Sequence, residues 1–179
     1  MQDYFVTPGC HAFLPAGERA IPVITGLARH FRCRGLPVIA TVHRQQEGDE
    51  GAMGRWWSEV IRPGAGSSLH PAIREVADHV LEKSRYDAFH GTGLNRMFAK
   101  AGVRCVVICG VMTNCCCLST GFSAFNRDLD VVMVMDGTAT FDERMHLHAL
   151  RVAQYAFAET LSAAEVLARL GPVADDASG

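Results

Sequence analysis

Two short apolar runs constrain the fold of this chain more than any other feature. The runs "RCVVICGV" (104–111) and "LDVVMVMD" (129–136) are rich in β-branched residues and apolar at almost every position. A strand with one solvated face alternates polar and apolar residues, so these runs predict strands buried on both faces, as in a parallel sheet. "LPVIATVH" (36–43) predicts a third strand of this kind.

Segments with a helical spacing of apolar residues separate the strands. We predict four helices, over 17–35, 92–102, 142–159 and 162–171. Pro22 is expected in the first turn of the first helix, and Ser162 and Glu165 have the spacing of a capping box at the start of the fourth. Strand and helix alternate, which predicts an α/β fold with a mostly parallel sheet and right-handed crossovers.

The length and charge of the chain limit its organisation and its partners. The 179 residues are enough for one domain with a sizeable core, which we predict over 1–170, followed by a disordered tail over 171–179. The net charge of −2 gives no basic surface for nucleic acid or for an anionic membrane. No apolar stretch approaches the ~18 residues of a spanning helix, and the first residues lack a signal-peptide pattern.

The cysteine content indicates a reducing compartment. The chain has seven cysteines, an odd number, and three of them are consecutive at 115–117. Consecutive residues do not easily form a disulfide with normal geometry, and no two C-x-x-C pairs are present to build a structural zinc site. We therefore expect free thiols and a cytoplasmic protein.

The segment "GVMTNCCCLST" (110–120) is the first candidate for chemistry. It follows a predicted strand and enters a helix beginning near Asn114, at the edge where open α/β sheets bind ligands. A thiol in the first turn of a helix has a lowered pKa, and the free N–H groups there can stabilise an oxyanion. The alternative is that small, buried thiols pack under the sheet. Position alone leaves both readings open.

Lys83, in "LEKSRYDAFHGTGL" (81–94), is the second candidate. It is one of only two lysines among the 17 Lys and Arg residues of the chain. A buried lysine can pair with a thiolate or a carboxylate and exchange protons, which arginine cannot. A solvated surface lysine is the alternative interpretation.

These segments together resemble a known superfamily. "VVICGVMTNCCCLSTGFSAFNRDLDVVMVMDGTAT", with "KSRYDAFHGTGL" before it and "MHLHALRVAQYAFAETLSAAEVL" after it, resembles the isochorismatase-like cysteine hydrolases. These include nicotinamidases, N-carbamoylsarcosine amidases and ureidoacrylate amidohydrolases. The resemblance runs from Met1 to about Leu170. It implies a three-layer, Rossmann-like fold, with a mostly parallel sheet between two layers of helices.

The resemblance also assigns roles within an Asp–Lys–Cys triad. The family's nucleophile follows the Thr of "GVxTN" by three residues, which is Cys116, and the triad lysine is Lys83. The backbone N–H groups of Met112 and Cys116 would form the oxyanion hole, and the Val111–Met112 peptide bond would be cis. Cys115 would then be a packing residue, as would Cys117.

The wall of the substrate pocket is the least constrained part of the site. We expect Gln2, Phe5, Trp57 and Tyr86 to contribute to it, with core packing as the alternative for the aromatic pair at 57 and 86. Nicotinamidases bind a metal through a D-x-H pattern after the second strand. The corresponding "TVHRQQEGDEG" lacks that spacing, so we expect no metal and no cofactor, and His43 as a solvated loop residue.

The third triad member departs from the family pattern. The family's Asp ends the first strand in a "D-M-Q-x-x-F" motif, whereas this chain begins "MQDYF". The Asp would stand immediately before Met1, and the first strand, central in the family's sheet, is missing as well. Either the recorded start is an internal Met, or the chain is truncated with an impaired site. Losing a central strand would leave unpaired backbone groups on both neighbours, which favours the first explanation.

A second departure follows the nucleophile, where "TGFSA" (120–124) replaces the family's T-A-R-D-A. With Cys116 present, the resemblance implies hydrolysis of a C–N bond in a small amide or ureido compound through a thioester. The protein is expected to be a homodimer or homotetramer. The alternatives are an inactive member that acts through oligomer contacts, and a redox sensor using the three thiols, which would need an exposed partner thiol of low pKa.

Overall fold

The computed structural model describes residues 1–64 and 66–172. Within them the chain forms five strands: β1 (Ile39–His43), β2 (His79–Lys83), β3 (Cys105–Val111), β4 (Asp130–Ala139) and β5 (Glu159–Leu161). The helices are α1 (Asp3–Val6), α2 (Pro15–Cys33), α3 (Gly51–Trp56), α4 (Pro71–Val76), α5 (Leu94–Ala101), α6 (Leu118–Phe125), α7 (Glu143–Ala156) and α8 (Ala163–Leu170). A π-helical turn, Thr113–Cys117, precedes α6. All strand pairs are parallel.

The three-layer α/β fold is confirmed, and β4 shows why its residues form a buried strand. Val131 and Met133 pack on one face with side chains from α6 and α7. Val132 and Val134 pack on the other face with side chains from α2 and α8. Each apolar residue of the run is therefore needed, because successive side chains of a strand point to opposite faces.

The sheet falls into two parts, β1–β2 and β3–β4–β5. Helix α2 joins them, because Ile21 packs with the core residues of β1, and Leu27 packs with those of β4. At the end of β1, the side-chain amide of Gln2 donates to the carbonyl of His43 and accepts from its N–H. A side chain here makes the two hydrogen bonds that a neighbouring strand would make.

The three predicted strands are confirmed, and β4 runs three residues further than its predicted end, to Ala139. The predicted helices over 92–102 and 162–171 are confirmed. The first ends at Gly102, whose φ of 63° is the left-handed conformation that glycine adopts freely. The second begins with the expected capping box of Ser162 and Glu165.

Two predicted helix boundaries are wrong. Helix α2 begins at Pro15, so Pro22 lies in its interior rather than in its first turn. The helix still forms there because Pro22 lies on the exposed side while Ala20 and Ile21 are buried in the core. Helix α7 ends at 156 rather than 159, because Phe157 turns its ring into the core and the chain continues as β5.

The predicted tail over 171–179 lies almost entirely in 173–179, outside the described residues. Among the residues that are described, no helix has both the length and the apolar composition needed to cross a membrane.

Candidate active site

Lys83, the last residue of β2, carries a buried ammonium group whose three donors all have partners. Its Nζ donates to the carbonyl oxygens of Arg85 at 2.7 Å and Tyr86 at 2.9 Å. The third partner is the Sγ of Cys116 at 3.6 Å. Lys83 is only 6% exposed. The chain after β2 folds back so that its carbonyl groups surround the cation, and the structure brings the two predicted catalytic residues together.

The charge of Lys83 has no carboxylate to balance it in the described part of the chain. None of the ion pairs within 1–64 and 66–172 includes this residue. An unbalanced buried charge is unfavourable, and a nearby group of opposite sign relieves it. The Sγ of Cys116 is the polar group that the ammonium reaches besides the two carbonyls.

Cys116 lies in the π-helical turn that follows β3. The peptide bond between Val111 and Met112 is cis. The carbonyl of Met112 accepts hydrogen bonds from the N–H groups of Cys115 and Cys117, at 3.2 Å and 3.1 Å. The turn thus begins as soon as the strand ends, and it places the middle thiol at the carboxyl edge of the sheet.

Side chains from two other elements hold this turn in place. Thr113 is fully buried, and its Oγ1 lies 2.9 Å from Nδ1 of His146 in the first turns of α7. Oδ1 of Asn114 accepts from Oγ1 of Thr140, just beyond β4, at 2.7 Å. The position of the thiol is therefore fixed by tertiary contacts as well as by the turn itself.

The three consecutive cysteines have different surroundings. Cys117 is 4% exposed within the core, and burial raises the pKa of its thiol. Burial also raises the pKa of the half-buried Cys115, to about 11, and the nearby charge of Cys116 acts in the same direction. Both neighbours are therefore protonated at neutral pH. Only Cys116 has the ammonium of Lys83 at its sulfur.

Trp57 and Tyr86, two of the expected pocket residues, contact each other near the turn. The indole Nε1 of Trp57 donates to the hydroxyl of Tyr86 at 2.6 Å. Burial raises the pKa of that phenol, the hydrogen bond from Trp57 opposes this, and Cys115 and Cys116 are close enough to act on it. The aromatic pair is thus adjacent to the candidate nucleophile.

Gln2 and Phe5, the other two expected pocket residues, are used in packing. Gln2 is 3% exposed, and its amide nitrogen donates both to His43 and to the carbonyl of Ser67. With its oxygen occupied by the His43 N–H, the side chain has no free polar group for a substrate. Phe5 packs against the core cluster around Val6.

Helix α6 is tied to the chain that follows β2 by residues that sequence reasoning did not assign. Ser123 donates to Oδ2 of Asp87 at 2.6 Å. Oγ1 of Thr120 accepts from the N–H of Ala88 at 3.1 Å. The segment "TGFSA", which departs from the family pattern, therefore supplies the Ser123 hydroxyl that joins α6 to the chain after β2.

His43 is not the solvated loop residue that we expected. It ends β1 and is 8% exposed, because the polar segment that seemed to contain it starts one residue later. Its pKa is lowered to about 4 by burial and, to a smaller extent, by the charges of Lys83 and Arg85. No group of three or more His, Cys, Asp or Glu side chains placed to hold a metal occurs within 1–64 and 66–172.

The backbone nitrogen of Met1 also faces the site. Burial lowers the pKa of its amino group, and the thiols of Cys117 and Cys116 and the ammonium of Lys83 are close enough to act on it. Any residue joined to this nitrogen would begin beside the candidate nucleophile and its lysine.

Comparison with known proteins identifies the family of the chain. The isochorismatase domain matches residues 1–165. The chain belongs to the isochorismatase family of hydrolases. This isochorismatase-family chain is 36% identical to Nicotinamidase 3 of Arabidopsis thaliana over 136 residues, which are 70% of the chain and 68% of that protein.

Other relatives differ from this chain in length. Enterobactin synthase component B of Escherichia coli (strain K12) is 31% identical over 164 residues, covering 84% of the chain but only 54% of that protein. The fold matches the structure of a cysteine hydrolase from Pseudomonas syringae pv. phaseolicola 1448A with a TM-score of 0.89. That match covers 95% of this chain and 88% of the other at 23% identity, and so shows the shared fold alone.

Proposed function

We propose that this protein is a cysteine hydrolase that cleaves a C–N bond of a small amide or ureido compound. The observation that carries the proposal is the distance of 3.6 Å between Nζ of the buried Lys83 and Sγ of Cys116. A buried cation placed against one thiol of three is an arrangement that favours the thiolate, the nucleophilic form of cysteine.

The proposed reaction has two steps. The thiolate of Cys116 attacks the carbonyl carbon, the C–N bond breaks, and the amine or ammonia leaves with a proton, so that a thioester remains. Water then attacks the thioester, releasing the acid and restoring the thiol. The N–H groups of Met112 and Cys116 are the proposed donors to the oxyanion in both steps, and Lys83 stabilises the negative charges.

The proposed mechanism needs a general base for the thiol proton. The family resemblance expects an aspartate joined to the nitrogen of Met1, and that nitrogen is buried beside Cys116 and Lys83. Two extended chains, one with Asp and one with Asn before Met1, test this base. The Asp form should hydrolyse amides faster, and equal rates in the two forms would exclude a carboxylate base at this position.

Amide chemistry is supported by the name of one relative, Nicotinamidase 3. Hydrolysis in general is supported by another, the Streptothricin hydrolase of Streptomyces noursei, 32% identical over 144 residues. The test is ammonia or amine release from a panel of small amides and ureido compounds, with isochorismate as the competing substrate. Turnover of isochorismate without turnover of any amide would contradict the proposal.

We also propose a homodimer or homotetramer in a cytoplasmic setting. The outer side of α7 exposes apolar side chains, among them Leu147 at 50% and Tyr155 at 94%. All seven cysteines are free, in keeping with a reducing compartment. Light scattering coupled to size-exclusion chromatography measures the assembly, and a monomer at micromolar concentration would refute this part.

A further inference from the structure

A buried histidine lies beside the catalytic lysine. His43 ends β1 and pairs in register with Lys83, which ends β2. Residues opposite each other in neighbouring strands direct their side chains to the same face of the sheet. The imidazole therefore shares the face on which Lys83 reaches Cys116. Val42, one residue earlier, packs into the core on the opposite face.

The position of His43 is fixed by its main chain. Its N–H donates to Oε1 of Gln2 at 2.8 Å, and its carbonyl accepts from Nε2 of the same side chain at 3.0 Å. On the other side, β1 is paired with β2 along its whole length. With the backbone held from both sides, the imidazole has one place in the site.

Gln45 decides which ring nitrogen of His43 carries the proton. The amide nitrogen of Gln45 lies 3.2 Å from Nε2 of His43 and also donates to the carbonyl of Ser84. The amide oxygen faces Nη1 of Arg85 at 3.5 Å, which fixes the orientation of the amide group. An amide nitrogen only donates, so Nε2 of His43 is the acceptor and the proton of the neutral ring is on Nδ1.

The neutral form is maintained by the surroundings of the ring. The pKa of His43 is lowered to about 4, chiefly by burial and in addition by the cations at the end of β2, Lys83 and Arg85. The ring is therefore uncharged throughout the physiological pH range, and it cannot act as a cation or as a proton donor of ordinary pKa.

The other nitrogen of the ring, Nδ1, has no protein acceptor in the described part of the chain. Within that same part, every fully buried side-chain nitrogen or oxygen has a hydrogen-bond partner. The Nδ1–H group is therefore accessible, on the face that His43 shares with the thiol site.

We propose that His43 is a specificity residue whose Nδ1–H group binds a second hydrogen-bond acceptor on the substrate, apart from the carbonyl that Cys116 attacks. The preferred substrates are thus small amides that carry a ring nitrogen or another acceptor. An amide without one leaves the Nδ1–H group unpaired in a desolvated site, which weakens binding. This inference rests on the proposed function, since the substrate must lie over Cys116.

The state of the free ring is tested by ¹⁵N-detected spectroscopy of protein labelled at histidine, between pH 4 and 8. The expected result is an Nδ1–H tautomer for His43 that stays neutral down to about pH 5. An Nε2–H tautomer, or titration at the ordinary value near 6.5, would overturn the inference whatever the activity of the protein.

Binding is tested with nicotinamide and benzamide, which have the same shape and differ by one ring nitrogen. In the Cys116→Ala protein, which cannot turn them over, nicotinamide should bind about three- to ten-fold tighter than benzamide. His43→Leu should abolish this difference, and His43→Asn, which keeps a donor near the Nδ1 position, should retain it. His148→Asn, on the exposed side of α7, is the control.

Equal binding of the two amides, no binding of either, or an unchanged ratio in His43→Leu would each contradict the inference. A failure of the proposed function gives a different result. In that case Cys116 would show no special reactivity, while the tautomer and titration of His43 would remain as described.

Discussion

The two strand ends that meet at the site are built in opposite ways. After β2 the chain turns its carbonyl oxygens inward, and those of Arg85 and Tyr86 bind the ammonium of Lys83. After β3 the chain closes at once into a π-helical turn, in which N–H groups point toward the carbonyl of Met112 and the thiol of Cys116 lies at the edge. One end holds a cation with acceptors, and the other presents the thiol that lies against that cation.

This difference shows how a thiol can be singled out from two identical neighbours. The turn alone places three thiols in succession, and burial, partial for Cys115 and nearly complete for Cys117, raises the pKa of both. The selection comes from the other strand end, because Lys83 reaches only the Sγ of Cys116. The largest effects are expected from substitution of Cys116, then of Lys83, and then of the residues that pack α6 and join the two strand ends.

The largest effect is expected from the nucleophile. Cys116→Ala should lower amide hydrolysis at least about 10³-fold, because no other thiol is placed against the lysine. Cys115→Ala is the matched control and should keep most of the activity. Steady-state kinetics with the best amide of the panel measures both, and a comparable loss in Cys115→Ala would refute the assignment.

Removing the cation should have the next largest effect. Lys83→Met should reduce hydrolysis about 10²- to 10³-fold, since charge on the sulfur and on the oxyanion is then unbalanced. It should also lower the free energy of unfolding by about 1–3 kcal/mol, because two buried carbonyl groups lose their donor. Lys100→Met, at the other lysine, on the exposed side of α5, should change neither quantity in kinetics or urea unfolding.

A change in the packing of α6, the helix that follows Cys116, should alter the free energy of unfolding. A Cβ atom on Gly121 would lie 2.4 Å from the ring of Phe157, so Gly121→Ala should destabilise the protein by about 1–3 kcal/mol. The same change at Gly26 in α2 meets nothing within 4 Å and should stabilise it by about 0.5–1 kcal/mol. Thermal unfolding of the two variants should therefore shift in opposite directions, and equal shifts would contradict this account of Gly121.

The smallest effect is expected from the tie between the two strand ends. Ser123→Ala removes the hydrogen bond to Asp87 and should cost about 1 kcal/mol of stability, with a loss of activity of a few fold. A double-mutant cycle with Asp87→Ala, which removes the acceptor, should give a coupling energy of about 1 kcal/mol. Additive effects in the cycle would mean that this contact does not connect the two ends.

Much of the framework could be predicted from the sequence because the information is local. The runs that form β3 and β4 are apolar at nearly every residue, and the cap at Ser162 needs only Glu165 three residues later. Strand β2, "HVLEK", was not predicted, because five residues with charges at the end carry no distinctive pattern. Strand β5 has three residues and depends on its pairing with β4.

The proximity of Cys116 and Lys83 followed from motifs that the sequence displays, while their catalytic roles stay predictions. Features that depend on long-range contacts were not predictable. The burial of His43 depends on Gln2, 41 residues away, and on the complete burial of Gln45 within a segment that is otherwise polar. A glutamine in such a segment gives no signal of its own.

The most direct test of the central claim is site-resolved alkylation. The folded protein is treated with limiting iodoacetamide from pH 5 to 9, and mass spectrometry identifies the labelled cysteine. Cys116 should react first at pH 7, faster than the exposed Cys33 and well before Cys115 and Cys117. If Cys116 reacts no faster than Cys33, Lys83 does not activate the thiol, and the account of this site is wrong.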